Sequence, residues 1–323
     1  MNEPLSTRTA PSAVSVAALS RRIGSSDLLV HPVSLGASVF GWTVSSARAF
    51  DILDRYVELG GNLIDTADAY SSGMSELIIG NWLRERRMRD RLLVATKVGR
   101  HPDFPGLSPN SIRGAIDASL ARLQTDRIDL LYFHAEDPDT PIEQSLEAVD
   151  ELVRAGKIRA LGASNFSTQE LLNARVAAGN GLPHFDAVTL EYNLLKREVV
   201  EGDMTLLSQV QGLSIVPYFV LAHGYLGRHR NLNHYKGDDT RLRRAAAHAG
   251  RRGVRVLRVL DHIAMSHGVD VSTVATAWVL AKKNVATAVV GVENTREVEA
   301  LMDAAAVRLS PAQLAELDHA SEP

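Results

Sequence analysis

The sequence predicts a (β/α)8 barrel. Eight short β-like runs alternate with helical stretches after residue 30. Several of those runs are nearly continuous in apolar residues, as parallel strands buried on both faces are. The 323 residues contain no good linker for a second domain, so one large barrel accounts for them better than two ordinary domains. A doubly wound sheet is the alternative that the same alternation allows.

In order, the strand candidates are 33–36 (VSLG), 62–65 (NLID), 92–97 (LLVATK), 129–134 (DLLYFH), 159–164 (RALGAS), 186–192 (DAVTLEY), 213–218 (LSIVPY) and 286–291 (ATAVVG). Helices between them carry start signals. Thr140-Pro141-Ile142-Glu143 reads as a capping box with Pro at the first helical position, and Ser167-Thr168-Gln169-Glu170 and Ser310-Pro311-Ala312-Gln313 repeat the pattern. In SIRGAIDASLARL, Ile112, Ile116, Leu120 and Leu123 recur at helical spacing. Residues 1–18 are rich in Ser, Thr, Ala and Pro and read as a flexible tail, so the barrel is expected over 21–323 after a tail of 1–20. Residues 223–253 are a long polar insert after the seventh strand, of a length that is usually functional or mobile. Residues 307–323 read as an additional C-terminal helix.

Composition excludes several classes of function. The chain is 45% hydrophobic and 23% charged, and it is long enough to bury a core without staples. A net charge of −3 leaves no basic surface for nucleic acid. With 0 cysteines there are no disulfides, no thiolate chemistry and no Cys-ligated zinc, which fits a reducing cytoplasm. No apolar run reaches the ~18 residues that span a bilayer. The short run AVSVAAL (13–19) is followed by Arg21 and Arg22 rather than preceded by them, opposite to a signal peptide.

In a barrel the chemistry sits at the C-terminal ends of the strands. There the second strand ends in Asp65 and leads to Tyr70, the third ends in Lys97, and the fourth ends in His134. Each alone has a bland reading: a helix cap, a solvated cation, a structural hydrogen bond. Together they make sense as a proton-delivery site. A phenol with a pKa of ~10 is a poor acid at neutral pH. A neighbouring Lys97 favours the phenolate and lowers that value. Asp65 neutralises the lysine, and His134 can donate a hydrogen bond to the same substrate oxygen. Reduction of a carbonyl by hydride needs that arrangement.

These residues lie within longer stretches: LGASVFGW (35–42), NLIDTADAY (62–70), GMSELIIGNWL (73–83), LLVATKVG (92–99), DLLYFHAEDPDTPIEQSLEAVDELVRAGKIRALGASNFS (129–167), EYNLL (191–195) and LSPAQLAELD (309–318). With them the chain resembles the aldo-keto reductases over about residues 22–320. The resemblance implies a barrel that holds a nicotinamide dinucleotide in extended form. In agreement, the sequence has neither G-x-G-x-x-G nor a P-loop. It implies Tyr70 as general acid, with Asp65, Lys97 and His134 as its partners. Ser164 and Asn165 would hold the nicotinamide carboxamide, and Tyr218 would stack on its ring. The backbone of Phe219, Val220, Leu221 and Gly224 would follow the pyrophosphate. Gly291, Glu293, Arg296 and Glu297 would meet the adenosine end. Gly36, Ala37, Ser38 and Asp65 complete the cofactor set, and Phe40 and Trp42 would line the substrate pocket.

Three positions depart from the family pattern. Thr189 stands where Gln is usual, with a shorter reach to the carboxamide. Tyr218-Phe219-Val220-Leu221 replaces Tyr-Ser-Pro-Leu, removing a hydroxyl near the pyrophosphate. Glu293 stands where Arg often grips the 2′-phosphate. A carboxylate there suits a free 2′-hydroxyl, but Arg296 and a helix start at Asn294 favour an anion. NADPH is the expected cofactor and NADH the alternative. The expected reaction reduces an aldehyde or ketone, sugars and keto-sugars included. A cofactor-binding sensor or regulatory subunit with slow turnover is the rival. A metal-dependent hydrolase is disfavoured: HAE (134–136) lacks the cysteine half of a zinc deaminase motif, and His229 and His234 lack nearby carboxylates at a strand end. No metal, nucleic-acid or membrane partner is expected, and a monomer is the default.

Overall fold

The computed structural model describes residues 19–227 and 237–322. Its central sheet has eight parallel strands: β1 (Val33–Gly36), β2 (Leu63–Asp65), β3 (Leu93–Val98), β4 (Ile128–Phe133), β5 (Ile158–Ser164), β6 (Ala187–Glu191), β7 (Ser214–Tyr218) and β8 (Ala288–Gly291). Each strand pairs with the next in the chain, and β8 pairs with β1 through Ala288 and Val33. A parallel bridge between Ile215 and Val285 joins β7 to the approach of β8, so the sheet nearly closes into a barrel.

The strands lie where the sequence places them, within one or two residues at each end. They are buried because both faces are covered. Inside the barrel Leu63, Ala95, Leu130, Tyr132, Ala160, Ala187, Val216 and Val289 form one apolar cluster. Tyr132 is accommodated because Gly162 on the next strand has no side chain: a Cβ there would lie 2.4 Å from Cε1 of Tyr132. Gly162→Ala is therefore expected to cost about 1–3 kcal/mol, the range for overpacking a filled core. Urea unfolding measures it; an unchanged midpoint would mean that the Tyr132 ring moves aside.

The floor of the barrel was not legible in the sequence. Arg21–Arg22 and Leu29–Val30 form a two-stranded antiparallel hairpin, and its Ile23, Leu28 and Val30 belong to the interior cluster. Arg21 donates to the carbonyls of Leu280 and Val285 at 3.0 and 2.8 Å, pinning the hairpin to the last βα unit.

Outside, helices pack on the sheet through apolar stripes. In α1 (Ser46–Glu58) Ala49, Ile52, Leu53 and Tyr56 are buried at helical spacing. The Tyr56 hydroxyl bonds to the carbonyls of Val33 and Leu63, tying α1 to two strands. α2 (Met74–Arg86) and α3 (Pro109–Leu123) follow; α3 starts at a Ser108 cap and buries Ile112, Ile116, Leu120 and Leu123. α4 (Ile142–Arg154) starts later than the expected capping box. Pro141 is its N-cap and no side chain caps it, because the Thr140 hydroxyl donates instead to Asp137 at 2.8 Å. α5 (Thr168–Ala178) keeps its Ser167 cap, although the Glu170 carboxylate takes a bond from Asn173 and does not complete a box. α6 (Asp203–Gln211) leads to β7.

Residues 223–253 are not loop throughout. Thr240–Ala246 is a helix (α7) capped by Asp239, and α8 (Arg251–His267) begins inside the same stretch. His229 and His234 lie outside the described residues, as does the expected tail through residue 18. α9 (Val271–Leu280) and α10 (Thr295–Met302) flank β8. The C-terminal helix α11 (Pro311–Ala320) has a complete Ser310/Gln313 capping box. Its last carbonyls accept from Arg197, Arg252 and Arg255, a cationic cap built by neighbouring segments. Among the described residues no helix is long and apolar enough to cross a membrane.

Candidate active site

Alternation along each strand selects the residues that face the barrel axis. Below the rim these are the interior apolar residues; two positions further along they become polar. Leu63 gives way to Asp65, Ala95 to Lys97, and Ala187 to Thr189 and Glu191. On β4 Leu130 and Tyr132 lead to His134, and on β5 Ala160 and Gly162 lead to Ser164. All six polar residues line one cavity of about 1260 Å³ at the C-terminal ends of the strands.

Lys97 and Asp65 are an ion pair of 2.5 Å, each about 4% exposed. The ammonium also donates to the Thr66 carbonyl at 2.8 Å. Burial works against its charge, but the carboxylate and Tyr70 outweigh that and hold Lys97 above the ordinary lysine value. Its nitrogen lies 5.1 Å from the centre of the Tyr70 ring. Tyr70 is half-buried at the rim, edge-on to His134 with ring centres 6.0 Å apart.

A tight turn presents Tyr70. Ser71, Ser72 and Gly73 have φ of 50°, 53° and 84°, three successive left-handed residues that only a well-held loop sustains. The holding contacts are Ser71 to the Phe40 carbonyl, Ser75 to the Ala37 carbonyl, and buried Glu76, which pairs with Arg122 at 2.7 Å and accepts from Thr96.

The electrostatics of Tyr70 differ in sign from the sequence-based expectation. Lys97 does lower the phenol's pKa, but burial is the larger effect and Asp65 adds to it, so the net shift is upward. His134 is pushed down to about 3, by burial first and then by Lys97 and Arg100. The imidazole is therefore neutral at pH 7, and its buried Nδ1 has no protein partner.

Ser164, Asn165, Thr189 and Tyr218 line the next part of the cavity. The Tyr218 hydroxyl donates to the Asn165 side-chain oxygen at 2.6 Å, and the Asn165 amide donates to Ser164 and to the His134 carbonyl. Beyond them the chain curls through Phe219, Ala222, His223 and Gly224, all at positive φ, and Phe219, Val220, Leu221 and Gly224 face the cavity. Gly36 and Ser38 line the opposite wall; Gly291, Asn294, Arg296 and Glu297 line the far end.

Three expectations meet a different placement, those for Phe40, Ala37 and Glu293. Phe40 is completely buried in the core behind the wall, and its neighbour Val39 lines the cavity in its place, beside exposed Trp42. Ala37 is also buried behind the wall, its N–H bonded to the Asp65 carbonyl. Asp68 faces the protein interior; burial and then Glu76 push its carboxyl up to about 7. Glu293 is ion-paired with Arg241 of α7, so an arginine from 52 residues upstream stands beside the carboxylate. Arg241, Thr240 and Arg244 all line the cavity. No motif announced these three, whereas Glu191 could have been found by counting two residues on from Thr189. Among the described residues no three His, Asp or Glu side chains converge as metal ligands.

Comparison with known proteins decides the assignment. The family model described as Aldo/keto reductase family matches residues 32–322. The chain belongs to the aldo/keto reductase family. Among its relatives are norsolorinic acid reductase B of Aspergillus parasiticus, 32% identical over 319 residues (91% of this chain, 81% of that protein), and an aryl-alcohol dehydrogenase of Pestalotiopsis microspora, 29% identical over 311 residues (91% and 79%). The glycerol dehydrogenase AKR11B4 of Gluconobacter oxydans superposes with a TM-score of 0.82 at 27% identity, covering 94% of this chain and 95% of that one. As an aldo/keto reductase the protein is an oxidoreductase that uses a nicotinamide cofactor.

Proposed function

We propose that the protein reduces an aldehyde or ketone to an alcohol by hydride transfer from NADPH, with Tyr70 as general acid. The observation that carries this reading is the meeting of Tyr70, the Lys97–Asp65 pair and a neutral His134 at one end of a long cavity. The names of the relatives, a reductase and two dehydrogenases of alcohols, support the same chemistry.

The cavity fits an extended dinucleotide. Its polar amides and hydroxyls gather beside the catalytic end at Ser164, Asn165 and Thr189, to hold a carboxamide. Tyr218 offers a ring face, and the curled backbone of Phe219–Gly224 offers a turn around a pyrophosphate. When bound, the reduced nicotinamide supplies the hydride to the carbonyl carbon. Tyr70 gives its proton to the oxygen that gains the electron pair. His134, neutral, donates one N–H to that oxygen and orients it. Lys97 stabilises the phenolate left behind, and Asp65 keeps Lys97 charged and in place.

At the far end, arginines on the cavity wall support a 2′-phosphate. Arg241 neutralises Glu293, and the Glu297 carboxylate is engaged with the Glu293 N–H and Asn294. Arg244 and Arg296 remain on the wall as cations for an anion. Glu293→Arg releases Arg241 from its carboxylate partner and adds a second cation. It is expected to raise the kcat/KM ratio of NADPH over NADH by about tenfold or more, equivalent to roughly 1–3 kcal/mol. Wild-type preference for NADH by more than tenfold would overturn the NADPH assignment, and an unchanged ratio in the variant would show that Glu293 does not act on the cofactor. Oxidation of NADPH with a simple aldehyde tests the reaction itself and separates it from a sensor that binds without turnover.

A further inference from the structure

The catalytic end of the cavity carries one cation that the proposed mechanism does not use. Arg100 lines it together with Tyr70, His134 and Trp42. It opens a short antiparallel hairpin, Arg100–His101 with Phe104–Pro105, that leaves the top of β3. Gly99, at φ +107°, permits the turn out of the sheet. The hairpin is anchored: Gly106 donates to the Gly99 carbonyl, Leu107 to Asp137, and Ser111 to the Pro105 carbonyl. Arg100 is thus presented on a held element at the substrate end.

Among the described residues its charge has no carboxylate partner. Lys97 answers Asp65, His223 lies 3.6 Å from Glu191, and Arg241 answers Glu293, while no carboxylate among the described residues lies within ion-pair distance of Arg100. The guanidinium is nevertheless close enough to act on both reacting groups, adding to the depression of His134 and opposing the rise of Tyr70. A cation in a reaction chamber without its own counter-ion is a place for the ligand's charge. Its planar fork matches a carboxylate in a way that the committed, buried Lys97 does not. The substrate end also has an open aromatic wall: Trp42 is 65% exposed.

Resting on the reductase reading, we infer that Arg100 is a specificity residue that binds a carboxylate on the substrate, so that the preferred substrates are aromatic or similarly flat aldehydes and ketones bearing a carboxylate. The carbonyl meets Tyr70 and His134 while the carboxylate meets Arg100.

The test compares benzaldehyde with 3- and 4-carboxybenzaldehyde in the wild type, Arg100→Met and Arg100→Lys, with NADPH. In the wild type, kcat/KM for one carboxylated isomer should exceed that for benzaldehyde by about tenfold or more, the effect of one charge-assisted hydrogen bond at a partly exposed site. Arg100→Met should reduce that ratio at least tenfold, mainly through KM, and Arg100→Lys should restore part of it. Added salt should lower the wild-type ratio and leave that of Arg100→Met unmoved. Equal treatment of the charged and neutral aldehydes by the wild type, or an unchanged ratio in Arg100→Met, would overturn the inference while leaving the reductase reading intact. Absence of turnover with every aldehyde would instead defeat that reading. Calorimetric binding of the same three compounds to the NADPH-loaded protein then decides Arg100 alone: a carboxylate preference lost in Arg100→Met supports it, and no preference overturns it.

Discussion

Tyr70→Phe should lower kcat for carbonyl reduction by at least about 10²-fold, at the lower end of the range for general acid catalysis, with the dissociation constant for NADPH little changed. The substitution keeps the ring beside His134 and Lys97 and removes only the transferable proton. Its nearest polar neighbours among the described residues are poor replacements. His134 is neutral above about pH 3 and has no excess proton to give. The Tyr218 hydroxyl is committed to Asn165, and the Lys97 ammonium to Asp65 and the Thr66 carbonyl. Steady-state rates with a simple aldehyde, beside fluorescence titration of NADPH, make the measurement. Activity within threefold of the wild type would remove Tyr70 from the mechanism.

Lys97→Met should have two large effects of different origin. Removing one member of a buried ion pair leaves the other uncompensated, at a typical cost of about 3–5 kcal/mol. Burial already pushes the Asp65 carboxyl above its ordinary value, and without Lys97 it rises further. A carboxyl whose folded pKa exceeds its unfolded value contributes its stability below the unfolded value and loses it as pH rises through the folded one. The variant should therefore be closest to wild-type stability in acid and fall behind as pH increases. On catalysis, loss of the cation leaves burial and Asp65 to raise the Tyr70 phenol against only the weaker opposing charge of Arg100. Alcohol oxidation, in which the phenolate accepts the proton, should move to higher pH. Urea unfolding across pH and the pH profile of oxidation are the two measurements. A stable variant with an unmoved profile would make Lys97 a bystander.

The barrel was legible because its strands are apolar on both faces and its helices carry buried stripes such as Ile112, Ile116, Leu120 and Leu123. Those patterns are local. The polar rim was legible for a related reason: Asp65, Lys97 and His134 interrupt apolar runs at strand ends, where a residue cannot serve the core. What was not legible depends on distance or on a balance. The floor hairpin has strands of only two residues, one of them Arg21–Arg22, too short and polar for a periodicity. The partner of Glu293 comes from a helix 52 residues away. Phe40 and Val39 are adjacent apolar residues, and only the turn after β1 decides which one faces the cavity. The Thr140 pattern failed because Asp137 competes for its hydroxyl, and the sign for Tyr70 required weighing burial against a charge.

The pairing of β1 with β8 also has a consequence for how the chain is made. Ser34 and Thr287 share a buried hydroxyl contact across 253 residues, and the Thr287 hydroxyl reaches the Pro32 carbonyl across 255. At 5–20 residues per second, the growing chain waits on the order of 10–50 s between making the first strand and making its partner. During that interval β1 has an unpaired edge, which can template intermolecular pairing. Two features shorten the exposure to such pairing. The first strand is only four residues long, and the N-terminal hairpin that shares the barrel interior is translated just before it. Ring closure is thus among the last steps available to a nascent chain, and yield in the cell should be more sensitive to changes in β1 and β8 than the stability of the finished barrel.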